Sequence, residues 1–127
     1  MERGKVKRAH KNLEVWQLSV ALATFVYQIT ETFPKSEIYG LISQMRRAVV
    51  SIPSNIAEGA ARFSSKEFAQ FLNIAGGSLS ELDTQIEIAY NLKYINIEQR
   101  EELDRRMDLI SIKLAGLISV IRRKIVQ

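Results

Sequence analysis

Residues 64–90 read SSKEFAQFLNIAGGSLSELDTQIEIAY, and within them Phe68, Leu72, Ala75, Leu79, Leu82, Ile86 and Ala89 recur at alternating steps of four and three. That is the period of an α-helix with one buried stripe, and its seven-residue repeat suits helices packed at shallow angles. Ser64 and Glu67 stand at capping-box spacing and start the helix. Downstream, Asn96 and Gln99 repeat that spacing before a further helix with the core Leu103, Met107, Ile110, Leu114, Leu117 and Ile121.

Working back toward the N-terminus, Asn12 is placed to cap a first helix through Val15, Leu18, Leu22, Phe25, Ile29 and Phe33, ending before Pro34. Ser36 opens a second through Ile38, Leu41, Ile42, Met45, Val49, Ile52 and Ile56, with Gly59 marking an end near Arg62. Pro53 has no N–H for the Val49 carbonyl, which predicts a kink or a short break there, with Asn55 and Glu58 capping the continuation. No strand pattern competes. Short connections force neighbouring helices to run in opposite directions, so the expected fold is all-α, an antiparallel up-down-up-down four-helix bundle over residues 12–127. Residues 1–11 precede it as a basic disordered tail.

If the second and third helices turn near Phe63, Arg46 lies opposite Glu81, and Ser51 opposite Ala75 and Gly76. Adjacent Gly76 and Gly77 cost a helix about 2 kcal/mol relative to alanine. Close approach of the Pro53-distorted neighbour is the expected compensation. The first helix carries a second stripe, Trp16, Val20, Ala23 and Tyr27, wider than one core requires. Trp16, Val20 and Tyr27 are therefore the expected contacts between subunits.

The chain has 127 residues, one His and no Cys, so disulfides, cysteine nucleophiles, zinc sites and a Ser-His-Asp triad all lack parts. Di-iron bundles need two Glu-x-x-His pairs, and His10 stands alone. The reading is of a protein without catalytic residues, cofactor, metal or small-molecule substrate. Val15 to Thr30 is uncharged, but two Gln, two Thr and a Ser in sixteen residues fall short of a membrane span, and the composition points to the cytosol by default.

The formal net charge of +4 lies entirely within residues 1–11, which hold Arg3, Lys5, Lys7, Arg8 and Lys11 against Glu2. The rest balances. Affinity for a polyanion must come from that tail or from uneven distribution over the folded surface. The body's candidates are Arg46, Arg47, Arg62 and Lys66, to which the tail adds Lys5, Lys7, Arg8 and Lys11. With Arg46 paired to Glu81, Arg47 is left for a partner carboxylate or a phosphate. Arg62 follows Glu58 by four residues, the spacing of a local helical pair. Arg122, Arg123 and Lys124 at a helix C-terminus suit the helix dipole without further function.

Residues 46–59, RRAVVSIPSNIAEG, followed by Glu67-Phe68, Phe71-Leu72, Ile74-Ala75, Gly77-Ser78 and Glu81-Leu82, carry a more specific signal. With Leu13-Glu14-Val15-Trp16, Phe33-Pro34 and Tyr39-Gly40-Leu41, they resemble the small four-helix-bundle proteins encoded by intervening sequences within bacterial 23S rRNA genes. The resemblance runs from the first helix to about Tyr94. It implies a homopentamer, a ring of bundles around a channel. Similar proteins include the accessory variability determinant of diversity-generating retroelements, which joins a reverse transcriptase and has a basic surface suited to nucleic acid. Gly76 stands where basic relatives often carry Arg. The expectation is a non-enzymatic, ring-forming interaction module that engages RNA or an RNA-bound protein; the alternative is a structural, protein-binding scaffold without nucleic-acid affinity.

Overall fold

The computed structural model describes residues 8–125, and among them every regular element is helical. After a 3-10 turn at Ala9–Asn12 come α1 (Glu14–Thr30), α2 (Ser43–Ala60), α3 (Ser65–Asn91) and α4 (Ile97–Ile125). The four pack around one core, to which Leu22 and Val26, Met45, Val49, Ile52 and Ile56, Leu72, Leu82 and Ile86, and Leu103 and Ile110 contribute fully buried side chains. None of these helices is long and apolar enough to cross a membrane.

The caps of α3 and α4 follow the sequence. Ser64 Oγ accepts from the Glu67 N–H at 3.0 Å. At α4 both halves of the box form: the Gln99 N–H donates to Asn96 Oδ1 at 2.8 Å and the Asn96 N–H to Gln99 Oε1 at 2.9 Å. α3 ends without glycine. Lys93 takes the left-handed conformation (φ 63°), and the Tyr94 and Lys93 N–H groups close onto the Ala89 and Tyr90 carbonyls.

Several expectations are corrected. Asn12 does not cap α1: it belongs to the 3-10 turn, and Leu13 precedes the helix with no side-chain cap. Residues 9–11 of the supposed disordered tail are in that same turn, while Lys5 and Lys7 lie outside the described residues. In α1, Leu18 and Phe25 are only half-buried, whereas Ser19 and Val26 are buried. Ser19 sits in the core because its hydroxyl donates to the Val15 carbonyl at 2.6 Å, as Thr30 does to Val26 at 2.7 Å.

The second helix does not begin at Ser36. Lys35–Glu37 form a 3-10 turn and Ile38–Ile42 a wide π-turn, in which Gly40 departs from helical geometry (φ −109°, ψ −116°). Glu37 holds this segment, accepting from the Leu41 N–H and from the Tyr94 hydroxyl, each at 3.0 Å. Pro53 neither breaks nor ends α2, which runs unbroken from Ser43 to Ala60. Buried Val49, Ile52 and Ile56 on either side hold the helix against the core despite the missing hydrogen bond. Asn55 caps nothing: its amide donates to the Ser51 carbonyl and hydroxyl at 2.8 and 2.9 Å.

The α2–α3 register is also shifted, since Ser51 Oγ meets Ser78 Oγ at 2.8 Å, not Ala75 and Gly76. The glycine that permits close approach is Gly59, where a Cβ would come within 2.8 Å of Phe71 Cβ and 2.9 Å of Phe68 Cδ1. Gly76 looks toward Leu114 at ordinary contact distance, and a Cβ on Gly77 would meet nothing within 4 Å.

Candidate nucleic-acid and partner-binding surface

Two sets stand out among the cations of the described surface, beside Arg105 and Lys113, which are paired with Glu102 and Glu14. In the first, each arginine lies over an aromatic ring: Arg46 over Tyr27 (4.5 Å), Arg62 over Phe71 (4.9 Å), Arg100 over Tyr90 (4.6 Å) and Arg106 over Phe25 (4.5 Å). Each also has a carboxylate. Arg46 pairs with Glu31 at 3.2 Å and donates to Thr30 Oγ1 and the Tyr27 carbonyl, so its expected partner Glu81 is replaced by groups at the end of α1. Arg62 keeps the expected Glu58 at 3.2 Å and adds Glu67 at 4.0 Å. Arg100 pairs with Glu87, and Arg106 shares Glu102 with Arg105. These guanidiniums cover the rims of the core and spend their charge locally.

Arg105 and Arg106 donate to Glu102 and hold its carboxyl down from 4.5 to about 2. The Tyr94 hydroxyl is pushed up by its hydrogen bond to Glu37. Asp104 is raised by burial and by neighbouring Asp83, Asp108 and Glu87, against the pull of Arg100. Asp83, Asp104 and Asp108 line a hollow of about 160 Å³ with Ser80 and Ser111. Among the described residues no three His, Cys, Asp or Glu side chains converge to hold a metal ion.

The second set has no ion pair among the described residues: Arg8, Lys11, Lys35, Arg47, Lys66, Lys93, Arg122, Arg123 and Lys124, all exposed. Arg8 and Lys11 flank the 3-10 turn, which the Lys11 carbonyl ties to Gln17 Nε2 at 2.7 Å and the His10 ring ties to Trp16, centroids 5.0 Å apart. Lys66 is in the first turn of α3. Arg122 and Arg123 line a shallow groove of about 580 Å³ with Asn73, two turns beyond Lys66. The sequence reading missed them as candidates, because a basic helix C-terminus looks self-explanatory until its neighbour in space is known. Arg47 stands apart, in a groove of about 510 Å³ that it shares with Gln44, Glu81, Thr84, Gln85 and Ile88.

Of the apolar candidates on α1, Val20 is 38% and Tyr27 42% exposed, with the Tyr27 ring under Arg46. Trp16 is half-buried against the core and His10.

Residues 11–116 match the family model described as 23S rRNA-intervening sequence protein. The fold is similar to a crystal structure of a protein of unknown function from the S23 ribosomal protein family of Bacteroides thetaiotaomicron, with a TM-score of 0.74 at 25% identity over 82% of this chain and 97% of that one. No curated protein matches.

Proposed function

The chain belongs to the 23S rRNA-intervening sequence protein family, and from that premise we propose that it is a non-enzymatic module that assembles into a ring of five copies and meets RNA through phosphate contacts at one basic end. Self-assembly and the number five rest on the family resemblance and on the apolar side chains of α1 that stay partly exposed, Val20 and Tyr27. Absence of catalysis rests on the residue inventory, in which His10, the one imidazole, lies edge-on to Trp16.

The observation that carries the RNA reading is the gathering of unpaired cations. Lys113 of α4 meets Glu14 of α1 at 3.1 Å and Arg106 covers Phe25, so residue numbers rise along one helix as they fall along the other. With Ser51 against Ser78 and Gly59 against Phe68 and Phe71, this supports an antiparallel up-down-up-down order. In that order six of the nine unpaired cations, Arg8, Lys11, Lys66, Arg122, Arg123 and Lys124, come to the same end, while Lys35 and Lys93 lie in the connections at the other. A cluster of lysines and arginines suits phosphates, and Phe63, fully exposed in the connection before Lys66, adds a single ring on which any base can stack, so binding is tolerant of sequence and falls steeply with salt.

Fluorescence anisotropy with single-stranded and hairpin RNAs at about 50 mM and 200 mM salt tests this. The reading expects similar affinities across sequences and a loss on the order of tenfold or more between the two salts. No complex at the lower salt contradicts it and leaves a protein-binding scaffold, the reading favoured by the arginines already paired on the surface.

A further inference from the structure

Phe63 stands in the connection between α2 and α3 with its ring fully exposed, although the backbone on both sides of it is fixed. Before it, the Ala61 N–H donates to the Ala57 carbonyl at 3.2 Å and the Arg62 N–H to the Gly59 carbonyl at 3.1 Å; after it, the Ser64 hydroxyl caps α3. The adjacent Arg62 guanidinium is turned to Phe71, Glu58 and Glu67 and leaves the Phe63 ring uncovered. A tied turn therefore holds a bare aromatic face in water. Lys66 follows within one turn, and Lys66, Gln70 and Asn73, at steps of four and three, share one exposed face over about 10 Å of α3. Asn73 then joins Arg122 and Arg123 in the groove completed by Ala115, Ile118 and Ser119. None of the residues along this path is acidic.

We propose that this end takes RNA as an unpaired strand, one base stacked on Phe63 and the neighbouring phosphates laid along Lys66 and into the groove of Arg122 and Arg123. The proposal rests on the RNA reading above and adds to it the class of RNA. Cations alone do not discriminate, because duplex and single strand both present phosphates. The ring does. In a duplex each base face is covered by the next pair, and exposing one costs unstacking, whereas a single strand, a loop or a bulge has faces to offer. Every base has such a face, so the site selects an unpaired strand without selecting its sequence. A strand also bends from the turn before α3 into the groove along its side. A flat lipid surface, which a ring and cations would otherwise suit, does not enter that groove.

Anisotropy titrations of an unstructured single strand and of a long duplex RNA test this, on wild type, Phe63→Ala, Phe63→Leu and Phe63→Trp, with circular dichroism and particle mass checked for each. Phe63→Ala and Phe63→Leu are expected to lose roughly five- to a hundredfold in affinity for the single strand, the loss of one stacked base, with salt slope, duplex affinity and mass unchanged. Phe63→Trp is expected to keep the affinity, and its added indole fluorescence to be quenched by the strand but not by the duplex. A wild type that prefers the duplex, a Phe63→Ala variant with undiminished affinity for the strand, or an equal loss on strand and duplex overturns the proposal; a steep salt slope in the same titrations leaves the phosphate reading standing. No complex with either RNA at the lower salt overturns both. A smaller particle mass in Phe63→Ala gives the ring to a neighbouring copy. Binding to phosphatidylserine vesicles that Phe63→Ala abolishes, with no loss on the strand, gives it to a lipid surface, and either of these results also overturns the proposal.

Discussion

Gly59 and Gly77 are separated by one question, what a methyl group would touch. At Gly59 it would press within 2.8 Å of Phe71 Cβ and 3.2 Å of the Phe68 carbonyl oxygen, neither of which is a flexible chain end. Gly59→Ala is expected to lower stability by roughly 1–3 kcal/mol through overpacking, read as a lower urea midpoint at unchanged m-value. Gly77→Ala is expected to raise it by up to about 1 kcal/mol, because open space leaves only the helix-propensity gain. The sequence offers both glycines alike. Which one is packed depends on a register shift of a few residues, and the apolar period does not fix the register between two helices. A second residue, Glu102, has its carboxyl held at about 2 by Arg105 and Arg106. Its folded value is depressed, so the pair stabilises α4 above the ordinary carboxylate range and is lost as pH falls through about 2. Carbon-13 detection of the Glu102 carboxyl should give a midpoint near that value in wild type. An Arg105→Gln, Arg106→Gln variant should return it toward 4.5, and a wild-type midpoint already there would show that the fork is not populated.

At the level of elements, α3 and α4 were legible to their first residues because capping and apolar period agree. Asn96 is the sharper case, since side chain and backbone of Asn96 and Gln99 exchange two hydrogen bonds. Asn96→Ala is expected to cost about 1 kcal/mol, with hydrogen exchange accelerating first at residues 97–100. Uniform acceleration along α4 would show that the cap does not act locally. The α1–α2 connection was not legible. Pro53 announces a kink or a short break, and α2 runs on without a break, while the actual interruption falls at Gly40, where Glu37 bridges the Leu41 N–H and the Tyr94 hydroxyl. Tyr94 lies 57 residues from Glu37, so no local pattern marks the tie. Glu37→Gln is expected to relax the raised Tyr94 phenol toward 10.0, which ultraviolet titration of the wild type, the variant and Tyr94→Phe will follow.

Over the whole molecule, the sequence showed a neutral body behind a basic tail, whereas the fold sorts that body's charge by place. Arginines that read as candidates, Arg46 and Arg62, are held by carboxylates and aromatic rings. Cations that read as a helix-dipole decoration, Arg122 and Arg123, share a groove with Asn73, two turns of α3 from Lys66. Sequence order separates these groups by some fifty positions, and only packing brings them together. The central claim is that this end of the bundle, and not the paired arginines, meets RNA. Its most direct test is the slope of log affinity against log salt for three proteins: wild type, a variant with Lys66, Arg122, Arg123 and Lys124 changed to Gln, and a variant with Arg46 and Arg62 changed to Gln. Each lost phosphate contact takes nearly one unit from the slope, slightly less on single strands. A slope cut by about two to four units in the first variant and unchanged in the second is the predicted result; an unchanged slope in the first variant would contradict the claim.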